Sequence, residues 1–292
     1  MEKIIFDCDN TMGVKGCDVD DGLALLYLLG KDSVELLAIT TTYGNSDIET
    51  VYANTSKMLK DLDRTDIPFH KGCASRDLLE SEATDYLLKT VNANQNNISI
   101  LATGSLTNLY AAYQIDNTFF EQISEIVLMG GIQQDLIING NIMEELNFSC
   151  DPVATACVLK NAKNLSIITG NNCLDAFFTK QEFEEKLFSC HKPIGSYIYQ
   201  QCSYWFENMM KKFNLNGFHN WDVVAAAYLL NKDLFKDHYE DILLDLNNLK
   251  KGLLKKSKQN DKNTTLINIP IISNLSEFTK DVYSAWLEFD LK

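Results

Sequence analysis

Lys3-Ile4-Ile5-Phe6-Asp7-Cys8-Asp9-Asn10-Thr11 and, further on, Asp20-Asp21-Gly22-Leu23-Ala24-Leu25-Leu26-Tyr27-Leu28-Leu29 are the stretches that decide how this chain folds. In the first, Lys3 to Phe6 is a short, mostly apolar run that stops on acidic residues, as a buried strand does where it reaches solvent. In the second, Gly22 to Leu29 is apolar enough for a buried helix. Val34 to Thr42 (VELLAITTT) follows, β-branched and halted by Tyr43-Gly44-Asn45, and reads as another strand. Working outward, Ile48 to Leu62 has helical spacing, while Ile98 to Ala102, Ile123 to Met129 and Leu165 to Thr169 read as further buried strands. Strands alternating with helices predict an α/β fold: a single domain over residues 1–292, with a mostly parallel central sheet and helices on both faces. Asn92 to Asn97 and Asn247 to Thr265 are polar and are expected to be surface connections, the second holding part of a helix around Leu249 to Leu254.

Composition narrows the function. Hydrophobic residues make up 46% of the chain and charged residues 23%, a balance that can bury a large core and excludes general disorder. The formal net charge is -14, from 40 acidic and 26 basic residues, and it would repel a nucleic acid. Lys250, Lys251, Lys255, Lys256 and Lys258 form the one evident basic cluster and read as a solvated face. Small neutral substrates or cations suit this charge better. The 8 cysteines are scattered singly with no CxxC pair, which argues against a zinc site and for reduced thiols. No signal-peptide pattern opens the chain and no apolar run has membrane-spanning length, so the expectation is a cytoplasmic protein without a membrane partner.

In a parallel sheet, ligands bind beyond the carboxyl ends of the strands. The polar residues there are Asp7 and Asp9, Asn45, Thr103 and the Gly130-Gly131 turn. Asp7, Asp9, Asp18, Asp20 and Asp21 crowd a segment running from a strand end to a helix start. An Asp at a helix start can simply cap orphan N–H groups. Five carboxylates brought together, however, raise each other's pKa unless a cation neutralises them, and hard oxygen ligands suit calcium or magnesium.

Two families share these residues. Ile4 to Thr11 resembles the first motif of haloacid-dehalogenase-type phosphatases, in which the first Asp is a nucleophile and magnesium lies alongside. The same run resembles the start of the nucleoside hydrolase family, with Asp7-x-Asp9 followed by Asp20-Asp21-Gly22-Leu23-Ala24. No late strand end offers the acidic pair that the phosphatases need: Glu240-Asp241 precedes its apolar run, and Asp245 stands alone. The nucleoside hydrolase pattern instead continues in family order through Thr42-Tyr43-Gly44-Asn45, Thr103-Gly104-Ser105-Leu106-Thr107-Asn108, Ile126-Val127-Leu128-Met129-Gly130-Gly131, Glu145-Leu146-Asn147 with Cys150-Asp151-Pro152, and Trp221-Asp222. One departure is the stretch Asn10 to Val19, longer than the family's. If it does not bulge outward, Asp18 takes the place of Asp20 or Asp21.

The resemblance implies a calcium-dependent hydrolase that cuts the bond between ribose and base, and often a dimer or tetramer. It assigns Asp9, Asp21 and Asp222 to calcium by carboxylate and Thr103 by its carbonyl. Asp9 would also be the general base for the attacking water. Asp20, Asn45, Glu145 and Asn147 would hold ribose hydroxyls, with Asn141 and Met129 as further substrate contacts. Many members carry His before the late Asp as a leaving-group acid. Here that position is Trp221, as in a purine-preferring branch where the indole stacks on the base. His219 is the remaining histidine candidate for the acid. The plainer readings of these residues are a turn at Asn45, helix capping by Glu145, Asn147 and Asp222, and core packing by Trp221. A nucleoside-binding protein without catalysis is the third alternative.

Overall fold

The computed structural model describes residues 1–291. The apolar runs become strands β1 (Glu2–Cys8), β2 (Val34–Thr41), β3 (Phe69–His70), β4 (Ser99–Ala102) and β5 (Glu125–Met129), then Leu165–Ile168. They belong to one nine-stranded sheet, continued by Thr264–Asn268, Tyr239–Leu243 and Lys255–Lys256. Across it the order is Lys255–Lys256, Tyr239–Leu243, Thr264–Asn268, Leu165–Ile168, β5, β4, β1, β2, β3. The pairs from β3 to Thr264–Asn268 are parallel, and Tyr239–Leu243 runs antiparallel to both of its neighbours.

Each strand's alternation divides its side chains between two cores. Ile5, Ile100 and Ile126 face one side, where they meet helices α3 (Glu82–Ala93) and α4 (Thr107–Ile115) and the helix Pro152–Asn161. Phe6, Leu101 and Val127 face the other. There they meet α1 (Asp20–Leu29) and the helices Pro193–Phe213, Trp221–Leu230 and Leu275–Glu288. α1 is buried from Asp20 to Leu28, which explains why its apolar residues show no stripe. Trp286 of the last helix donates its indole N–H to the Leu23 carbonyl at 2.9 Å.

The polar stretch Asn247 to Thr265 is more than a connection. It contributes the exposed edge strand Lys255–Lys256 and leads into Thr264–Asn268. Its helical turn is Leu246–Leu249, not Leu249 to Leu254. Lysines on an edge strand discourage pairing with another sheet, so their polarity conceals strand structure from a search for apolar alternation.

From β1 the chain moves to β2 and β3 on one side, and then crosses to β4 and β5 on the other. That reversal splays apart the loops that leave the carboxyl ends of β1, β2 and β4, and such a crevice is where open α/β sheets bind ligands.

Candidate active site

A cavity of about 550 Å³ opens at this crevice. Its polar part is lined by Asp18, Asp20, Asn45, Thr103, Glu144, Glu145, Asn147 and Asp222, and its apolar part by Met129, Ile132, Leu136, Ile142, Met143, Leu146, Trp205, Met209, Phe213 and Trp221.

Asp20 and Asp21 occupy the first turn of α1, and Asp222 occupies the first turn of Trp221–Leu230. The two helices pack together, so their positive ends converge and favour the anionic carboxylates. One oxygen from each of Asp20, Asp21 and Asp222 lies within 4.8 Å of the others. Asp9 sits beside this trio: Asp21 Oδ1 accepts from the Asp9 amide at 3.3 Å, and Asn45 Nδ2 donates to both Asp9 Oδ1 (3.2 Å) and Asp21 Oδ2 (3.3 Å). Burial drives the pKa of all of them upward, to about 6 for Asp9 and Asp20, and mutual repulsion adds to the rise at Asp21 and Asp222. Among the described residues, no lysine, arginine or histidine pairs with Asp9, Asp18, Asp20, Asp21 or Asp222. Uncompensated buried carboxylates fit a hard divalent cation.

The long Asn10–Val19 segment bulges outward, and Asp18 does not replace Asp20 or Asp21. Asn10, Thr11 and Met12 are buried, Gly13 to Cys17 turn outward, and Asp18 returns to the cavity wall. Asp20 and Asp21 keep their places at the start of α1, and Asp18 joins them against Asp20.

Gly44 makes room for this arrangement, since a Cβ there would run into Asp9 Oδ2. The neighbouring Asn45 N–H donates to the same oxygen at 2.5 Å. Asp9 is thus fully buried behind Asn45, whereas Asp20 lines the cavity itself. Thr103 gives its hydroxyl proton to Asp21 Oδ1 at 2.7 Å, and its carbonyl accepts from Asn147 Nδ2 at 2.9 Å. Asn147 also donates to the Met129 carbonyl at 3.1 Å, which leaves its Oδ1 as an acceptor for a ligand. Glu145 accepts three backbone N–H bonds, from Gly131 (3.0 Å), Phe148 (2.8 Å) and Ser149 (2.9 Å). Gly131 has φ +76°, a left-handed turn that aims its N–H at this carboxylate. The cap of Pro152–Asn161 is Asp151, which accepts from the Ala154 amide at 2.9 Å.

Besides Asp9 and Asp21, which are buried just behind the wall, three further candidates fall outside the lining. Asn141 is exposed on the hairpin Leu136–Met143, its amide turned to the Asn139 carbonyl. His219 is buried between the Phe177 and Trp221 rings, each 5.0 Å away by centroid. Burial lowers its pKa to about 4. Asp7 is fully buried beneath the site. It accepts from Thr40 Oγ1 at 2.5 Å and Asn108 Nδ2 at 2.7 Å, and burial raises its pKa to about 7. Asp7 is thus held by Thr40 and Asn108 away from the cavity lining, which counts against the nucleophile that the phosphatase reading needs there.

The apolar wall came from residues without a motif. Trp205, Met209 and Phe213 lie on Pro193–Phe213, whose amphipathic spacing suits core packing equally well. Leu136, Ile142 and Met143 come from the hairpin, held to the end of that helix by Asn139 Nδ2 donating to the Phe213 carbonyl at 2.9 Å.

A family model described as "Inosine-uridine preferring nucleoside hydrolase" matches residues 4–277. A relative from Arabidopsis thaliana named "Probable uridine nucleosidase 2" is 24% identical over 261 residues, covering 78% of each chain. A structure titled plant nucleoside hydrolase superposes with a TM-score of 0.86 at 20% identity, over 98% of this chain and 99% of the other. A purine-preferring ribonucleoside hydrolase from Gardnerella vaginalis gives 0.83 at 20% identity, over 99% of both.

Proposed function

Because the chain belongs to the inosine-uridine preferring nucleoside hydrolase family, we propose that its cavity takes a ribonucleoside and hydrolyses the N-glycosidic bond to ribose and free base, with purines preferred. The enzyme class goes with the family, since nucleosidases and ribonucleoside hydrolases are N-glycosidases. The observation that carries the reading is the meeting of Asp20, Asp21 and Asp222 beside a cavity that Trp205, Phe213 and Trp221 also line.

Asp21, Asp222 and the adjacent Asp9 and Asp20 supply the carboxylates for a calcium site, with the Thr103 carbonyl at its edge. A calcium ion bound there would neutralise these carboxylates and acidify a water beside it. Asp9 is proposed as the base that receives the water's proton, its raised pKa bringing it closer to neutrality than an ordinary carboxylate. Asp20, Asn45 and Asn147, which line the cavity, would hold ribose hydroxyls, and Glu145 keeps acceptor capacity on Oε2 beyond its bond from Ser149. Holding the sugar against the base residue removes much of the entropic cost of bringing water and substrate together.

Trp221 supports the purine preference. It lines the cavity, and its indole offers a stacking face that a two-ring base covers more fully. The relatives do not favour that preference: most are named as uridine nucleosidases or pyrimidine-specific hydrolases, while one structural neighbour is named for purines. The test is incubation with inosine, adenosine, guanosine, uridine and cytidine plus calcium, scored for free ribose. Faster release from the purines, abolished by a chelator, is expected. Binding of nucleosides without ribose release would make the protein a non-catalytic nucleoside binder.

A further inference from the structure

Departure of the base needs a partner for the electron pair it carries away. The cavity offers few. His219, the histidine nearest in sequence, is enclosed behind Trp221. Asp18, Asp20 and Asp222 gather at the polar end, where the sugar is expected. Trp221 contributes an aromatic face.

Lys212 is different. Among the described residues it is the one basic side chain that lines the cavity. It follows Trp205 and Met209 at i, i+4 and i+7 along Pro193–Phe213, so the helix presents all three on one face. Its neighbour Phe213 lines the same wall. The ammonium stands over the Trp205 ring, 5.9 Å from its centroid, a contact that holds a cation against an apolar wall. No carboxylate is within ion-pair distance among the described residues. Lys212 is exposed, and among the described residues its unpaired ammonium is the one cationic donor on the wall of an otherwise acidic cavity, beside an aromatic ring of the same wall.

We infer that Lys212 is the proton donor to the departing base, an assignment that rests on the ribonucleoside hydrolase reading above. The water oxygen forms its bond to C1′ as the C1′–N bond breaks. The electron pair of that bond passes to the base, and a Lys212 Nζ proton goes to a ring nitrogen or carbonyl oxygen of the base. The water's own proton goes to the carboxylate base, and Lys212 is reprotonated from solvent. The ligand it selects is a heterocycle with an accessible acceptor, because an ammonium has donors and no acceptor.

The experiment compares wild type, Lys212→Gln and, as a control for bulk charge, Lys211→Gln, which alters the adjacent residue off the cavity lining. Each is assayed on inosine and on 4-nitrophenyl β-D-ribofuranoside, whose phenolate leaves without protonation, and each is checked for an unchanged melting temperature. For Lys212→Gln, kcat on inosine should fall at least about a hundredfold, the usual scale of a positioned acid, and kcat on the nitrophenyl riboside less than about threefold. Lys211→Gln should follow wild type on both. Equal losses on the two substrates, or none on either, overturn the assignment of Lys212 alone. A wild type that cleaves neither overturns the hydrolase reading and this assignment with it.

Discussion

At Asp9, burial and hydrogen bonding pull in opposite directions. Loss of water raises its pKa to about 6, while the Asn45 amide, 2.5 Å from Oδ2, lowers it. Asp20 reaches about 6 as well but faces the cavity directly. The two roles separate kinetically. Asp9→Asn should cut kcat by at least about a hundredfold with little change in KM, as expected for loss of a general base. Asp20→Asn should act mainly through KM, and the reverse pattern would transfer the base role to Asp20. Trp221 makes a prediction of its own. Stacking is worth about 1–3 kcal/mol per base, so Trp221→Ala should lower purine kcat/KM roughly tenfold to a hundredfold. Uridine and cytidine should suffer less, and calcium affinity measured by calorimetry should hold. Equal losses on all substrates would identify Trp221 as a packing residue.

Among the elements, the Asn10–Val19 segment and the helix Pro193–Phe213 act as a pair. The Tyr204 hydroxyl accepts from the Gly13 amide at 3.3 Å and donates to the Cys17 carbonyl at 3.1 Å, fastening the segment just before Asp18. Tyr204→Phe removes both bonds, a net loss of about 1 kcal/mol each, from an outward-turned stretch with few other ties. Faster proteolysis within residues 13–17 and a higher KM are expected, with the global melting temperature lowered by no more than roughly 4 °C per kcal/mol lost. Unchanged proteolysis would show that the segment is held by its buried part, Asn10 to Met12.

For the whole molecule, the acidic cluster ties stability to pH and to cations. Asp7, Asp9 and Asp20 have folded-state pKa values of about 7, 6 and 6, above their ordinary value of 3.8. Between those limits the folded protein binds more protons than the unfolded chain, so the contribution of these groups to stability falls as pH rises. In chelator, their contribution should be fully present below about pH 4 and lost progressively by about pH 7. Calcium should restore the loss at pH 7, because a ligand bound only by the folded state stabilises it. Melting curves across pH, with and without calcium, test this against Asp20→Asn, in which the pH dependence should be shallower. A chelated protein whose pH dependence matches that of Asp20→Asn would place the cluster outside the stability balance.

The order of strands and helices was legible because burial imposes apolar runs that repeat along the chain. β2 and β5 begin or end within two residues of the readings Val34 to Thr42 and Ile123 to Met129. Asp20 and Asp21 were legible because they crowd with other carboxylates ahead of an apolar helix, and Asp222 through the family resemblance of Trp221-Asp222 at another helix start. Tertiary structure alone decided which side chains meet. It brought Asp18 to the cavity from a loop, left Asn141 on a hairpin and His219 behind an indole, and built the apolar wall from Trp205, Met209 and Phe213. It also drew the lysine-rich strand Lys255–Lys256 onto the sheet edge. Hydrophobic periodicity is a local property, whereas the meeting of distant loops depends on how whole elements cross the sheet. An exposed residue at a cavity mouth carries no periodic signal that separates it from any other surface residue.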